Sequence, residues 1–272
     1  MHAMKSLFLA WQDSGPSRAW FPIGRLDAEI SQSRYSFGYT HGATRAAAQA
    51  GLQPLLAFPD FDGIYESSEL FPLFRNRVLG SDRSDFLDYL KQLDLKPEEA
   101  NPIAILAVTG GTRQTDNLEV FPKLERRADG TFCCRFFLHG TRHVHKIAYE
   151  RIEGLKTNEP LRVSVELNNP ATSLALQVQS EDYVMLGWAP RYLVKDLTEA
   201  IAESPTKISV HVVRINPAPA PTNQRVLVEL KGSLPANREP MTGPDFQLLH
   251  PLDIQWGQVA ETGVGDASKA PA

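Results

Sequence analysis

The sequence predicts an α+β fold in two parts, a small α+β domain over residues 1–125 and a β-barrel with one inserted helix over residues 126–260. Two observations support this division. Helix and strand patterns alternate in the first half, whereas period-two alternation dominates from Thr131 onwards. The composition also changes between residues 120 and 135. A chain of 272 residues is long enough for two small domains, so we place the boundary within this segment.

Strand and helix patterns follow one another closely in the first half. The clearest strands are Lys5–Gln12 and Arg34–Tyr39, and the second of these has an aromatic ring at every other position. Segment 42–50 is rich in alanine and ends at Gly51, a residue type that readily adopts the left-handed conformation that terminates helices. The other candidates are a helix over 82–95 with leucines at helical spacing, a helix starting at Pro102, and a strand over 117–121.

Five strands and one helix are predicted in the second half. Apolar residues alternate with polar ones over 161–167 and 174–178, and the turn Asn168-Asn169-Pro170 separates these two strands. Pro190 favours the start of a helix that ends before Pro205. One helix between the third and the fourth of five short strands is typical of a small β-barrel. The remaining strands are predicted at 183–186, 207–215 and 224–230.

The charge balance limits the possible partners. The chain has 28 lysines and arginines against 32 aspartates and glutamates, a formal net charge of −4. A protein that coats nucleic acid is usually basic, so any contact with nucleic acid must come from a local basic patch. Cys133 and Cys134 are adjacent, which excludes a disulfide framework and favours the reducing cytoplasm. No run approaches the ~18 apolar residues of a membrane span. Residues 261–272 are small and polar, and we expect them to be disordered.

No catalytic motif is recognisable in the sequence. A P-loop, a Gly-x-Ser-x-Gly elbow, a His-Glu-x-x-His zinc helix and kinase catalytic loops are all absent. Segment 109–112, Thr-Gly-Gly-Thr, is the nearest fragment of a phosphate loop, although two glycines usually form only a turn. Asp60 and Asp62 could bind a metal with nearby glutamates, but carboxylates favoured at the start of a helix explain them better. We therefore predict no catalytic residues, no metal and no cofactor.

Residues 135–156 form the most basic segment of this acidic protein. They contain five lysines and arginines against two glutamates, together with three histidines. On a strand, Arg142 would share one face with Val144, and His143 would share the other with His145. The histidines and the adjacent cysteines lack the spacing of a zinc site. The segment is either a solvated basic edge or a phosphate-binding face, and the sequence leaves both interpretations open.

Several of these motifs together resemble the HIRAN domain. They are Gly140-Thr141-Arg142-His143, the strand and turn over 161–170, and the segment 186–193, Leu-Gly-Trp-Ala-Pro-Arg-Tyr-Leu, which leads into the predicted helix. Their order and spacing agree with the family over 135–232. The resemblance implies an OB- or SH3-like β-barrel. In helicase-linked members of the family, this barrel captures the 3′ end of single-stranded DNA, which requires a ring for base stacking and donors for phosphates.

The resemblance also implies a nucleic-acid interface on this chain. Arg142 and His143 match an Arg-Tyr pair that contacts DNA in the family. Asn169 matches the first residue of the family's Asn-Pro-Tyr-Asp motif. The residues carried over to the interface, with their basic and aromatic neighbours, are Arg142, His143, His145, Lys146, Asn169, Trp188, Arg191 and Tyr192.

Two departures from the family pattern concern the strand terminus. Ala171 replaces the stacking tyrosine, and Thr172 replaces the aspartate that helps to hold the terminal hydroxyl. Loss of one base–aromatic stack costs roughly 1–3 kcal/mol, so capture of a 3′ end is expected to be weaker than in the family. Either Trp188 or Tyr192 supplies a ring instead, or both anchor the helix to the barrel.

The first half resembles, more loosely, the N-terminal subdomain of HipA-type kinases. The matching features are Gly24-Arg25-Leu26, the aromatic strand at 35–39, and the segments 54–59 and 70–77. Such subdomains are regulatory lids, and the sequence contains no kinase catalytic lobe. The resemblance therefore implies a regulatory or docking module joined to a HIRAN-like barrel, an arrangement associated with bacterial proteins.

Two functions follow from these observations. The first is a non-catalytic, cytoplasmic protein that binds single-stranded DNA or DNA ends through the barrel. The alternative is a regulatory or docking subunit that binds a partner protein, of kinase or toxin–antitoxin type, through the first half. The aromatic and proline residues of 54–77 would form that docking surface if they were exposed.

Overall fold

Two antiparallel sheets organise the chain in a computed structural model that describes residues 4–16 and 18–251. Short helices connect the strands, so the protein has the predicted α+β architecture. The tail that we predict to be disordered, 261–272, lies outside the described residues. No helix in the described ranges is long and apolar enough to cross a membrane.

The first sheet has five strands, and two of them have the predicted bounds. The strands are β1 (Lys5–Gln12), β2 (Trp20–Glu29), β3 (Arg34–Tyr39), β4 (Ile64–Ser67) and β5 (Leu118–Pro122), in the spatial order β4-β3-β2-β1-β5. β1 pairs with both β2 and β5, and it brings the start of β2 and the start of β5 to the same end of the sheet. This end of the sheet forms one side of the candidate site.

Four helices accompany the first sheet, namely α1 (His41–Ala50), α2 (Pro72–Arg75), α3 (Phe86–Gln92) and α4 (Pro102–Thr109). α1 ends, as predicted, at Gly51 in the left-handed conformation. The Asn101 side chain begins α4 by accepting a hydrogen bond of 3.0 Å from the Ala104 N–H, and Gly110 ends it. α3 is shorter than the predicted 82–95, because turns occupy the residues before Phe86.

The second sheet has six strands and closes on itself. They are β6 (Thr131–Phe137), β7 (Pro160–Asn169), β8 (Ser173–Gln179), β9 (Met185–Trp188), β10 (Ser209–Ile215) and β11 (Val226–Ser233), in the order β6-β11-β10-β7-β8-β9. His139, just after β6, and Trp188, at the end of β9, exchange backbone hydrogen bonds of 2.9 and 3.0 Å. The two outer strands of the sheet therefore meet, as in a small barrel.

Two helices, and not one, are inserted in the barrel: α5 (Lys146–Glu153) and α6 (Val194–Glu203). The prediction lacked α5 and the separate strand β6. Segment 135–156 is not one strand, because Gly140 has a φ of +66° and a short 3₁₀ turn follows it. His145 then caps α5, which buries Ala148 and Ile152 on one face.

The two halves share a hydrophobic core. Phe8 and Phe121 lie on the face of the first sheet that packs against the barrel, whereas Phe37 and Phe58 lie in the core on the other face. The Phe121 ring stacks on Tyr192 of the barrel with a centroid distance of 4.2 Å and an angle of 12° between the rings. This packing fixes the first sheet beside the barrel and creates a cleft between them.

Candidate nucleic-acid interface

A cleft of about 540 Å³ lies where one end of the first sheet faces the barrel. Arg18, Trp20 and Arg113 line it from the first half. Residues 139–143 and Arg191 line it from the barrel. We call this space the main cleft. It brings together side chains that are separated by more than half of the sequence.

Arg142 and His143, the pair carried over from the HIRAN resemblance, are both exposed in the main cleft. The Arg142 Nε donates a hydrogen bond of 3.0 Å to the His143 Nε2. The turn that carries them is held to the rest of the barrel, because the Thr141 hydroxyl donates to the Thr222 carbonyl at 2.8 Å. The remaining N–H groups of the Arg142 guanidinium have no acceptor among the described residues, so they are available to a ligand.

Arg191 also lines the main cleft, and its side chain is partly buried. Its guanidinium makes no hydrogen bond or salt bridge with any residue in the described ranges. Desolvation lowers the pKa of Arg191, the Glu119 carboxylate raises it, and the positive charge of Arg18 lowers it. A partly buried cation that lacks a hydrogen-bonded counter-charge attracts an anion more strongly than a solvated cation does.

Trp188 and Asn169 support the site from below instead of facing a ligand. The Trp188 indole N–H donates to the Glu166 carboxylate at 2.6 Å, which is the main reason that the pKa of Glu166 is lowered. The Trp188 ring lies directly against Gly140, at the start of the turn that carries Arg142. Asn169 also donates to Glu166, at 3.0 Å. Both residues therefore position the turn and the β7–β8 connection.

Asn169 has a second structural role in the turn that differs from the family pattern. Its side-chain oxygen accepts hydrogen bonds of 3.0 and 3.1 Å from the backbone N–H groups of Ala171 and Thr172. It also accepts one of 3.1 Å from the Thr172 hydroxyl. The Asn169 oxygen is thus fully occupied by its own turn, as in an Asx turn.

Tyr192 is buried, and its ring face is covered by Phe121. Burial raises the pKa of its hydroxyl well above the ordinary value. The ring joins the two halves of the protein, which is the anchoring role, and although Tyr192 also lines the main cleft, one face of its ring is covered. His145 and Lys146 are exposed at the start of α5 and lie outside the main cleft.

The first half contributes basic residues that the sequence did not point to. Four arginines line the main cleft, namely Arg18, Arg113, Arg142 and Arg191, against two carboxylates. One of these carboxylates, Asp116, is held at 2.5 Å by Arg77, a residue outside the cleft wall. The cleft is therefore positively charged in a chain whose formal net charge is −4.

The second carboxylate in the main cleft, Glu119, lies 3.9 Å from the ring of His139. The His139 side chain is 42 % exposed but lies between the two walls. Burial among these walls lowers its pKa, although Glu119 raises it. The imidazole is thus mostly neutral at neutral pH and offers hydrogen bonds in place of charge.

The other candidate sites do not form a ligand site in the described residues. Segment 109–112 lines the main cleft, but it lies at the C-terminal end of α4, where the helix dipole disfavours phosphate. Asp60 accepts a hydrogen bond from the Asp62 N–H, and Asp62 pairs with His250 at 3.1 Å. Within the described ranges, no three histidine, cysteine or acidic side chains are grouped so that they could hold a metal ion.

Comparison with known proteins adds one positive finding. Residues 131–231 match the family model of the HIRAN domain, and this range contains all eight residues of the predicted interface. No curated protein and no solved structure matches the chain. The likeness of the first half to HipA-type regulatory subdomains therefore stays a prediction. Over residues 131–231, the chain is similar to the HIRAN domain.

Proposed function

We propose that this chain binds single-stranded nucleic acid, in particular DNA near a strand end, in the main cleft, and that it performs no chemistry on the bound strand. HIRAN domains are nucleic-acid-binding modules, and the match over 131–231 supports this class of ligand. One observation supports the location. Four arginines from both halves converge in one cleft of an otherwise acidic protein.

Phosphate contacts dominate the expected binding. Arginine binds phosphate through two parallel N–H groups, and the guanidinium groups of Arg113 and Arg191 are unpaired within the described residues. Stacking contributes less, because Ala171 occupies the position of the family's stacking tyrosine and the Tyr192 ring is covered. This composition predicts a ligand recognised mainly through its backbone, with little preference for base sequence.

A fluorescence-anisotropy titration tests the proposal. The probe is a labelled oligothymidine with hydroxyl ends, and the control is polyglutamate of equal length. Four phosphate contacts to a single strand predict a slope of log affinity against log salt of about −3, or roughly a 50-fold loss between about 50 and 200 mM salt. Binding of the strand no tighter than binding of polyglutamate would refute the proposal. Parallel titrations with 3′-hydroxyl and 3′-phosphate strands measure the preference for an end.

No observation favours the docking alternative. The segment 54–77 could form the docking surface only if its aromatic rings were exposed. Phe58 and Phe74 are fully buried, and the Phe58 ring stacks on Phe37 at 3.9 Å. Leu56 is fully exposed, but a single exposed leucine is common on protein surfaces and does not form a docking patch.

A further inference from the structure

The main cleft continues into a second pocket, and three residues belong to both. The second pocket has a volume of about 550 Å³ and lies between the β7–β8 turn and α6. The shared residues are Arg18, Trp20 and Arg191. A ligand that extends from one space into the other must pass these three side chains. We call this place the junction.

We infer that the junction is a dedicated phosphate-binding position, in which Arg18 of the first half and Arg191 of the barrel hold one phosphate group of the strand between them. The inference rests on the proposed function and makes it more specific. It assigns the first half a direct part in ligand binding. The ligand chemistry is a phosphate that belongs to a nucleic-acid strand, either a terminal phosphate or an internal phosphodiester.

The charges of the two arginines favour an anion at the junction. Arg191 has no hydrogen bond and no salt bridge within the described part of the chain. Arg18 donates to the neutral Gln12 side chain at 2.9 Å and has no carboxylate partner among the described residues. The positive charge of Arg18 disfavours the charged form of Arg191, so the two repel each other. An anion placed between them would remove this repulsion and form charge-assisted hydrogen bonds with both.

The carboxylate that lines the second pocket is already neutralised. Glu199 lines the second pocket, and both of its oxygens accept hydrogen bonds of 2.5 Å from Arg238. Lys195 lines the same pocket and is exposed. The space beside the junction therefore keeps a net positive charge and does not repel a phosphate.

Trp20 is the remaining residue that both spaces share. Its indole N–H is buried and has no acceptor in the described chain. An unpaired buried donor is costly and is rare in folded proteins. The ring packs on Phe121 at 5.5 Å, in the core that joins the two halves. The junction thus holds an unsatisfied indole donor in addition to two guanidinium groups that have no salt bridge within the described residues.

The backbone holds Arg18 in place. Its φ is +49°, which is unusual for a residue with a side chain, and the Gln12 side-chain amide donates to its carbonyl at 2.9 Å. The guanidinium in turn donates back to the same glutamine. This reciprocal pair ties Arg18, in the connection between β1 and β2, to the last residue of β1, which lowers the entropy lost when a ligand binds.

Substitution of the two arginines tests the inference on the full chain. We expect Arg191→Gln and Arg18→Gln each to weaken binding of the labelled oligothymidine about 10-fold and to reduce the salt slope by about 0.7. Arg191→Lys, which keeps the charge and loses the two-pronged geometry, is expected to lose less. Arg83→Gln is the matched control, because Arg83 is exposed, pairs with Asp85 at 2.9 Å and lies outside both spaces.

The outcomes separate the inference from the proposed function. If the wild-type chain does not bind the strand, the proposed function fails and the inference fails with it. If the wild-type chain binds and both arginine variants bind like Arg83→Gln, only the inference is overturned. Thermal unfolding of each variant checks the fold. Arg191→Gln is expected to keep the wild-type midpoint, because the arginine has no partner to lose.

Strands with different ends identify the source of the phosphate. A terminal phosphate at the junction predicts that a 3′- or 5′-phosphorylated strand binds more tightly than the hydroxyl strand and that Arg191→Gln abolishes the difference. An internal phosphodiester at the junction predicts that Arg191→Gln weakens binding of all three strands by the same factor. Either result supports a phosphate at the junction, whereas an unchanged affinity for every strand in both variants overturns it.

Discussion

Gly140→Ala is expected to have two effects. It destabilises the protein, and it displaces Arg142. Gly140 has a φ of +66°, a conformation that costs an alanine about 1–2 kcal/mol. A Cβ at this position would lie 2.5 Å from the Trp188 ring, far inside van der Waals contact. The ring cannot move away freely, because its N–H donates to Glu166 at 2.6 Å. Overpacking of this kind adds about 1–3 kcal/mol, so we expect a loss of about 2–5 kcal/mol in the free energy of unfolding.

Urea unfolding measures this loss, and Gly154→Ala is the matched control. Gly154 has a φ of −87°, and an added Cβ would meet its nearest atoms at 3.6 and 3.7 Å, which is ordinary contact. Alanine is therefore expected to stabilise the protein there by about 0.4–1 kcal/mol through the unfolded state. The double variant Gly140→Ala/Trp188→Ala lacks the ring and therefore the clash. If the ring causes the destabilisation, the double variant loses less free energy of unfolding than the sum of the losses in the two single variants. Equal stability of the two single alanine variants would refute the reasoning.

Two buried carboxylates lead to opposite pH dependences, each measured by urea unfolding of wild type and variant across pH. Asp196 is buried and accepts from the Met241 N–H at 3.2 Å, and burial is the main reason that its pKa is raised to about 6. Ionisation then costs the folded state up to about 3 kcal/mol above pH 6, so Asp196→Asn should stabilise the protein at pH 8 and not below pH 4. Burial raises the pKa of Glu229, but hydrogen bonds from Arg135 and Lys231 lower it by more, so the pKa of Glu229 is lowered to about 2. Glu229→Gln should lower the free energy of unfolding by about 2–3 kcal/mol at pH 7, and this loss should vanish towards pH 2. For either residue, a difference between wild type and variant that stays constant at all pH values would contradict the assigned pKa shift.

β1 and β3 have the predicted bounds, because β1 is a continuous apolar run and β3 has an aromatic ring at every other position. Both patterns are local, so they can be seen without knowing which elements cover the strand. α5 was missed because its start depends on a cap by His145 and its burial on two residues, Ala148 and Ile152, in a segment dominated by charge. A short, charged helix has too weak a hydrophobic pattern to be distinguished from an exposed edge.

The candidate site was only partly predictable. Arg142, His143 and Arg191 were found through a local motif, and all three line the main cleft. Arg18 and Arg113 could not be found, because they join the cleft only through the packing of Phe121 on Tyr192. Such contacts between the halves leave no local periodicity in the sequence. The role of Tyr192 was uncertain for the same reason, since only its long-range partner shows that its ring is covered.

Photocrosslinking shows whether a bound strand lies between the two halves. Oligothymidine with 5-iodouracil substitutions would be crosslinked to the full chain, and the modified residues would be mapped by mass spectrometry. We expect crosslinks in both walls of the main cleft, at Trp20 in the first half and at His143 in the barrel. Crosslinks confined to the exposed outer face, such as Tyr183 at 69 % exposure, would contradict it.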